Sequence, residues 1–443
     1  MSRSQTAAAI ARVGNVRWLM VFLVFAVAAV SYLDRANISI AAPQIKTDLL
    51  LNDRQLGMVF SAFVFGYAFT QPFAGRLADR FGPFKVIAIG IFWWSVLTSA
   101  TALIPAGYAN ALGLMIAVRF ILGIGESVIF PAGNRMVASW IPSHERGLAN
   151  GLIFAGVGVG AGIAPPLITT IMLTHDWRWA FHASAAIGLV AMVVWMLMVR
   201  EKPANHRWVK QPELDYIAAD EAAKTTAESP KLASWGSIIM NKQVALLSLS
   251  YFCFGYVAWI FFTWFFTYLS QVRGLDLKSS GIYGMLPFIA MAIASPVGGW
   301  ISDKLCPRVG KRIGRCAPAV FGMAMTAVFV TIATQVADAR LAAVVLALGS
   351  GALYISQSAF WTISADIGRS SAGSVSGVMN MCCQLGGATV AAITPILAES
   401  LGWSGSFLVA AAAALVGAIG WMFIDPTATL DGDKTSAEKP AAA

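Results

Sequence analysis

Charge is what this chain has least of. Of its 443 residues only 12% are Asp, Glu, Lys or Arg, while 58% are hydrophobic. An ordinary soluble domain carries about a quarter charged residues. So small a charged share cannot coat a globule of this length, which argues against a soluble enzyme or a soluble binding module. Histidine is also scarce: His144, His175, His182 and His206 are scattered over ends and loops, and no metal set can be assembled from them. The five cysteines, Cys253, Cys306, Cys316, Cys382 and Cys383, lie in the second half without a Cys-x-x-Cys spacing. They read as reduced thiols packed as small apolar side chains. No cofactor is expected. Against a membrane enzyme stands the missing nucleophile–base constellation, and against a membrane sensor the missing soluble output domain.

What is present is apolar length. Runs at 18–31, 87–103, 183–199 and 341–354 reach, with their flanks, the ~20 residues that a ~30 Å hydrocarbon core demands. The first run ends in Tyr-Leu-Asp-Arg without a small-residue cleavage site, and reads as a retained helix. Hydropathy, Gly/Pro breaks and charge clusters predict twelve spans near 18–40, 56–75, 86–104, 111–134, 148–171, 178–199, 243–270, 280–301, 317–334, 341–364, 372–397 and 404–424. An even number places both termini on one side. That side holds 23 of the 31 Lys and Arg residues, so both termini are expected in the cytoplasm of a cell whose inner membrane the chain crosses. The net charge of +9 is then an orientation signal, and no nucleic-acid partner is expected.

The spans fall into two sets. A polar segment at 200–242, with Pro203, Pro212 and Pro230 among mixed charges, separates a six-helix bundle at 18–199 from another at 243–424, with tails at 1–17 and 425–443. Residues 75–85 read Gly-Arg-Leu-Ala-Asp-Arg-Phe-Gly-Pro-Phe-Lys, and residues 299–304 echo them as Gly-Trp-Ile-Ser-Asp-Lys. Asp79 and Asp303 are 224 apart, while Trp177 and Trp403, Phe181 and Phe407, and Gly151 and Gly377 are each 226 apart. Several features at nearly one offset predict a duplicated six-helix unit, hence an all-α membrane protein of two pseudo-symmetric bundles. In the motif, Gly75 and Gly82 permit a close turn, Asp79 can cap a helix or pair with a cation, and Arg80 anchors the turn. Gly75, Asp79, Arg80, Gly82 and Asp303 are therefore candidate elements of a conformational gate.

At these residues the chain resembles the major facilitator superfamily, over essentially its whole length. The resemblance implies two six-helix bundles that rock around a central cavity. Within the superfamily, residues 32–37 (Tyr-Leu-Asp-Arg-Ala-Asn), 134–137 (Asn-Arg-Met-Val) with 140–142 (Trp-Ile-Pro), and 213–217 (Glu-Leu-Asp-Tyr-Ile) look like the anion:cation symporter family. Members of that family commonly carry organic anions, such as sugar acids, into the cell with protons or sodium.

Few charges lie inside spans: Asp34 and Arg35 in the first, Arg119 and Glu126 in the fourth. Each costs about 2.5–3.5 kcal/mol or more to insert, so such groups face cavities and find partners. Arg119 and Glu126 lie two turns apart on one face, and Asp34 shares a face with Asn37. Asp34 and Glu126 are the candidate proton-coupling carboxylates, because an acid whose exposure and arginine contact change with conformation can load and release a proton. Arg35 and Arg119 are permanent charges suited to holding the carboxylates or an anionic substrate. A set of purely structural ion pairs is the alternative.

Polar and aromatic residues also collect at helical spacing: Tyr67 with Gln71, Gln357 and Ser358 with Trp361, and Asn380 with Gln384. Their amides suit a polyhydroxylated ligand, and Tyr32 and Trp361 offer faces for a sugar ring. In the sugar-acid symporters that the chain resembles, positions matching Tyr32, Arg35, Tyr67, Arg119, Glu126, Ser358, Trp361 and Asn380 line the cavity. The fifth span departs from that pattern. Val157 stands where a polar amide is expected, which makes an aromatic or other apolar carboxylate a live alternative. The Gly-x-Gly-x-Gly stretch beside it lacks the strand and the Lys-Ser/Thr of a nucleotide loop, and reads as close helix packing. The aromatic residues at 259–268 read as lipid or packing surface, with Trp264 or Tyr268 as a conceivable gate. The expected function is proton-coupled import of a small organic anion by a monomer. An exporter or uncoupled facilitator is the competing transport reading, and sodium remains open as the coupling ion.

Overall fold

The computed structural model describes residues 14–222, 232–265, 268–275 and 277–430. The amino-terminal bundle comprises α1 (Val16–Asp48), α2 (Asp53–Phe81), α3 (Pro83–Ala102), a fourth span in two pieces, α4 (Ala111–Glu126) and α5 (Ile129–Trp140), then α6 (Arg146–Thr174) and α7 (Trp177–Met198). The central segment carries α8 (Gln211–Ala222) and α9 (Trp235–Ile239). The carboxy-terminal bundle comprises α10 (Lys242–Thr263), α11 (Leu277–Val309), α12 (Lys311–Gln335), a tenth span again in two pieces, α13 (Ala339–Ile355) and α14 (Gln357–Gly368), and α15 (Ala372–Met422).

Eleven stretches are long and apolar enough to cross a membrane, and one of them, Ala339–Thr394, runs for 56 residues. At about 1.5 Å per residue that stretch exceeds twice a hydrocarbon core. Arg369, at φ 47°, divides it into two crossings. Gly402, at φ 73°, turns the chain within α15, whose two parts already count as separate stretches, so the described residues make twelve crossings.

Local chemistry sets the ends. Asn52 and Gln55 form a reciprocal capping box on α2, Asp176 accepts from the backbone N–H groups of Arg178 and Trp179 at the start of α7, and Asn241 does the same for α10. Gly82, at φ 89°, turns the chain between α2 and α3, where Pro83 occupies the first helical position. In the fourth and tenth spans the interruption falls on a serine whose hydroxyl donates back along the helix: Ser127 to the Ile124 carbonyl and Ser356 to that of Leu353, each i to i−3. The duplication thus extends to the bend in the fourth helix of each half.

The two halves meet along two glycine seams near the end that carries the termini. A Cβ added to Gly75 on α2 would collide with the Gly373 backbone on α15, and one added to Gly299 on α11 would collide with Gly147 on α6. Gly377 abuts Gln71 and Pro72, as Gly151 abuts Ser295 and Pro296. Asp79 accepts from the N–H groups of Gly373 (3.0 Å) and Ser374 (2.7 Å) and from the Ser374 hydroxyl (2.6 Å), with Arg135 at 3.7 Å. Asp303 correspondingly accepts from the N–H groups of Gly147 (3.2 Å) and Leu148 (2.7 Å) and pairs with Arg315. Each motif aspartate therefore caps a helix of the opposite half. Arg80 takes no part in this contact; its guanidinium lies over the Phe81 ring.

The Lys/Arg distribution places Arg146 and Arg315 in segments between spans on the side of the termini, and the expected tenth span ends at 364. Instead Arg146 and Arg315 are buried in the seam, and Asp366 on α14 takes Arg146 and Lys311 at 2.9 Å each. Asp366 escapes a hydropathy argument because it lies two residues past the expected span. A Gly75→Val variant is expected to hold this seam apart. A cysteine placed at Ser374 in that variant should react with a membrane-impermeant thiol reagent from the terminal side several-fold faster than in a Gly75 background. Equal rates would mean that the seam is not a closure.

Candidate functional site

Midway along the bundle α1 presents two polar faces. Ser31 and Arg35, one turn apart, point at Glu126, the last residue of α4. Oε1 of Glu126 accepts from the Arg35 Nη2 at 3.0 Å and from the Ser31 hydroxyl. The Arg35 guanidinium is sandwiched by the Tyr32 and Tyr67 rings at 4.5 Å each, with Phe63 at 5.0 Å. Stacking of this kind fixes a planar cation without neutralising it. The second oxygen of Glu126 is buried and bonds to no described residue.

Arg119 also packs its guanidinium over Phe63, at 4.8 Å, and is 2% exposed. Among the described residues no carboxylate lies within salt-bridge distance of it, and its Nε has no partner. Two turns, about 10 Å along the axis, separate Arg119 from Glu126, and the partner of Glu126 is Arg35 of α1.

Asp34 and Asn37 form the second face of α1 and turn into the amino-terminal bundle. Thr98 on α3 donates to Asp34 Oδ2 at 2.6 Å, and the Asn37 amide donates to Ser184 on α7 at 3.1 Å. The structure thus separates Asp34 from the Arg35–Glu126 pair by one helix face, and it does not bring Asn37 to the central site. Ser31 and Thr98 were not singled out from the sequence. A small hydroxyl inside an apolar span carries no distinctive signal until its partner is known.

From the other half, Trp361 on α14 packs against Phe130 (5.9 Å between ring centres) and Phe154 (5.2 Å) of the first half. Its indole N–H donates to the Tyr251 hydroxyl at 2.8 Å, as does the Gln357 amide, also at 2.8 Å. Tyr251 on α10 is thus a positioning group that the sequence reading missed; its one signal is a tyrosine hydroxyl at mid-span. Ser358, Asn380 and Gln384 are buried, and Gln71 is buried at the α2–α15 seam with neither amide atom bonded to a described residue. Tyr32 reaches Phe262 of the second half at 6.4 Å. Phe154 gives the site an apolar contact from α6.

The arrangement is a buried group of two arginines and one carboxylate among aromatic rings, with Asp34 on the adjacent face of α1. Buried polar atoms without partners are uncommon in folded proteins, and their concentration here marks a place for water, an ion or a ligand. Nothing in it forms a nucleophile–base pair.

Residues 24–391 match the Major Facilitator Superfamily. Over 407 residues the chain is 33% identical to a probable sulfoacetate transporter of Cupriavidus necator, covering 91% of this chain and 92% of that one. It is 30% identical over 427 residues to a D-galactonate transporter of Escherichia coli, covering 94% and 96%. Its fold matches that of a proton:xylose symporter bound to 6-bromo-6-deoxy-D-glucose, with a TM-score of 0.76 at 14% identity, over 96% of this chain and 99% of that one. The chain belongs to the Major Facilitator Superfamily and is a multi-pass membrane transporter, not an enzyme.

Proposed function

We propose that this transporter imports a small organic anion, a sugar acid such as a hexuronate, aldonate or aldarate, together with protons. The observation that carries the reading is the charge arithmetic of the site. Asp34, Arg35, Arg119 and Glu126 sum to zero when both acids are ionised, and each proton bound leaves one arginine charge uncompensated. A protonated site then attracts an anion, and the anion in turn favours protonation, which is coupling by mutual electrostatic need. Two protons per monovalent anion carry one net positive charge inward, and a membrane potential contributes about 2.3 kcal/mol per 100 mV to that cycle. Similarity to transporters named for sulfoacetate and galactonate supports an anionic substrate.

With the termini in the cytoplasm, as the Lys/Arg distribution favours, the glycine seams close the cytoplasmic side and the site takes substrate from outside. Gln71, Gln357, Ser358, Asn380 and Gln384 supply the donors and acceptors for hydroxyl groups, Tyr67 helps hold Arg35, and Trp361 supplies the platform. A second reading rests on the apolar contacts of Trp361. Phe130 of α5 and Phe154 of α6 around Trp361 suit an aromatic carboxylate as well as a sugar ring.

Thermal stabilisation of the purified protein by a ligand panel, followed by uptake into proteoliposomes with an acidic exterior, tests both readings. D-galactonate or D-glucuronate is expected to stabilise the fold and to accumulate only with the gradient. Stabilisation by benzoates alone would replace the sugar acid with the aromatic acid. Absence of counterflow for every organic anion tried would remove the substrate class.

A further inference from the structure

Beside the α2–α15 seam the outer wall of the protein opens into an apolar groove of about 600 Å³. Phe69 and Phe73 of α2 form one bank, and Ala245 of α10 with Val378 and Met381 of α15 form the other. Trp235 of α9 crosses its terminal end, packed against Phe73 at 5.9 Å. The groove therefore spans both halves. Phe69 and Phe73 are 53% and 62% exposed within a membrane-spanning stretch, so this bank faces the membrane.

The terminal end of the groove is cationic. Arg76 lies over the Trp235 ring at 5.6 Å and donates to the Ala233 carbonyl at 2.6 Å, and the Ala233 N–H donates to Ser371 at 2.9 Å, so α9 is tied to both halves. Arg80, one turn beyond Arg76 on the same side of α2, is exposed and makes no cross-bundle ion pair or hydrogen bond among the described residues. Lys242 is exposed on α10 one turn before Ala245. The acid closest in sequence, Asp79, is committed to the start of α15.

From this apolar trough with a basic, tryptophan-marked end we infer a binding site for one anionic glycerophospholipid. An acyl chain fills the groove, and Arg80 and Lys242 receive the headgroup phosphate at the membrane surface, where tryptophan and basic side chains are at home. A lipid that touches α2 on one side and α10 and α15 on the other binds best when these helices are together. By linkage it favours the state in which the glycine seam is closed.

Native mass spectrometry of the full-length protein, with phosphatidylglycerol and phosphatidylcholine of identical chains added equally, reads this site. One phosphatidylglycerol is expected to be retained about tenfold more than phosphatidylcholine. Arg80→Gln combined with Lys242→Gln should erase the preference, and Ala245→Trp should empty the groove of either lipid. Val378→Phe fills the same space from α15 and serves if Ala245→Trp does not fold. Equal retention of the two lipids, unaffected by filling the groove, would reduce the site to ordinary boundary lipid and overturn the inference. So would a second copy of the chain occupying this face in place of lipid.

Discussion

Glu126→Gln is expected to abolish uptake driven by the membrane potential while leaving the exchange of substrate across the membrane intact. Glutamine keeps the side-chain shape and an acceptor for Arg35 and Ser31, but it cannot take up a proton. If the intact protein moves two protons with each monovalent anion, loss of one makes the cycle electroneutral. At 100 mV the potential then contributes nothing in place of about 2.3 kcal/mol, and the limiting accumulation ratio falls about 50-fold. Each pH unit of gradient takes away about another tenfold. Proteoliposomes with a potassium diffusion potential and labelled D-galactonate give both numbers. Accumulation at the unaltered ratio by Glu126→Gln would show that this carboxylate is not a coupling group. The same test on Asp34→Asn, where Thr98 keeps a hydrogen-bond partner, tells whether the second acid acts in the cycle or only holds α1 against α3.

Replacing the two arginines should have opposite signatures. Arg35→Ala strips Glu126 of its partner and leaves a buried carboxylate with only the Ser31 hydroxyl. Breaking such a pair costs about 3–5 kcal/mol of stability. Arg119→Ala orphans no paired acid, since no described carboxylate lies within salt-bridge distance. Its thermal midpoint should stay near or above that of the parent, while ligand affinity falls at least about tenfold, the loss of a charge-assisted hydrogen bond of about 1.5–3 kcal/mol. Arg119→Lys should recover little, because a point charge does not reproduce the guanidinium fork. Thermal denaturation with and without ligand separates the cases. Destabilisation of Arg119→Ala as deep as that of Arg35→Ala, with ligand binding preserved, would make Arg119 a structural cation and leave the anion without its receptor.

The architecture was legible because lipid demands it. Runs of apolar residues of one length, the glycine-aspartate motif and its echo 224 residues later, and four charges that hydropathy isolates all follow from constraints acting along the chain. Pairing across the chain was not legible. Helical spacing put Arg119 and Glu126 on one face, but spacing says nothing about Arg35, which arrives from a helix 91 residues earlier. The same gap hid the turn of Asn37 toward Ser184, the Tyr251 hydroxyl behind Trp361, and Asp366 between Arg146 and Lys311. In each case the decisive term is the rotation of one helix about its axis relative to its neighbours. That rotation is set by packing of small residues, and several alternatives satisfy the sequence pattern equally well.

The glycine seams bear on a different demand, that of electrical insulation. A carrier that works from a proton gradient must not conduct protons while its site faces one side. Where Gly75 lies on the Gly373 backbone and Gly299 on that of Gly147, main chain meets main chain with no side chain and no space for a file of water between them. Such a joint has no partly wet form: it is shut, or the helices have moved apart. Leak through the closed end is therefore limited by the bare thickness of two helices. A single added methyl group at any of these four glycines meets main chain or the motif aspartate and is expected to raise the proton leak of liposomes holding the protein, even in a variant that still binds its substrate.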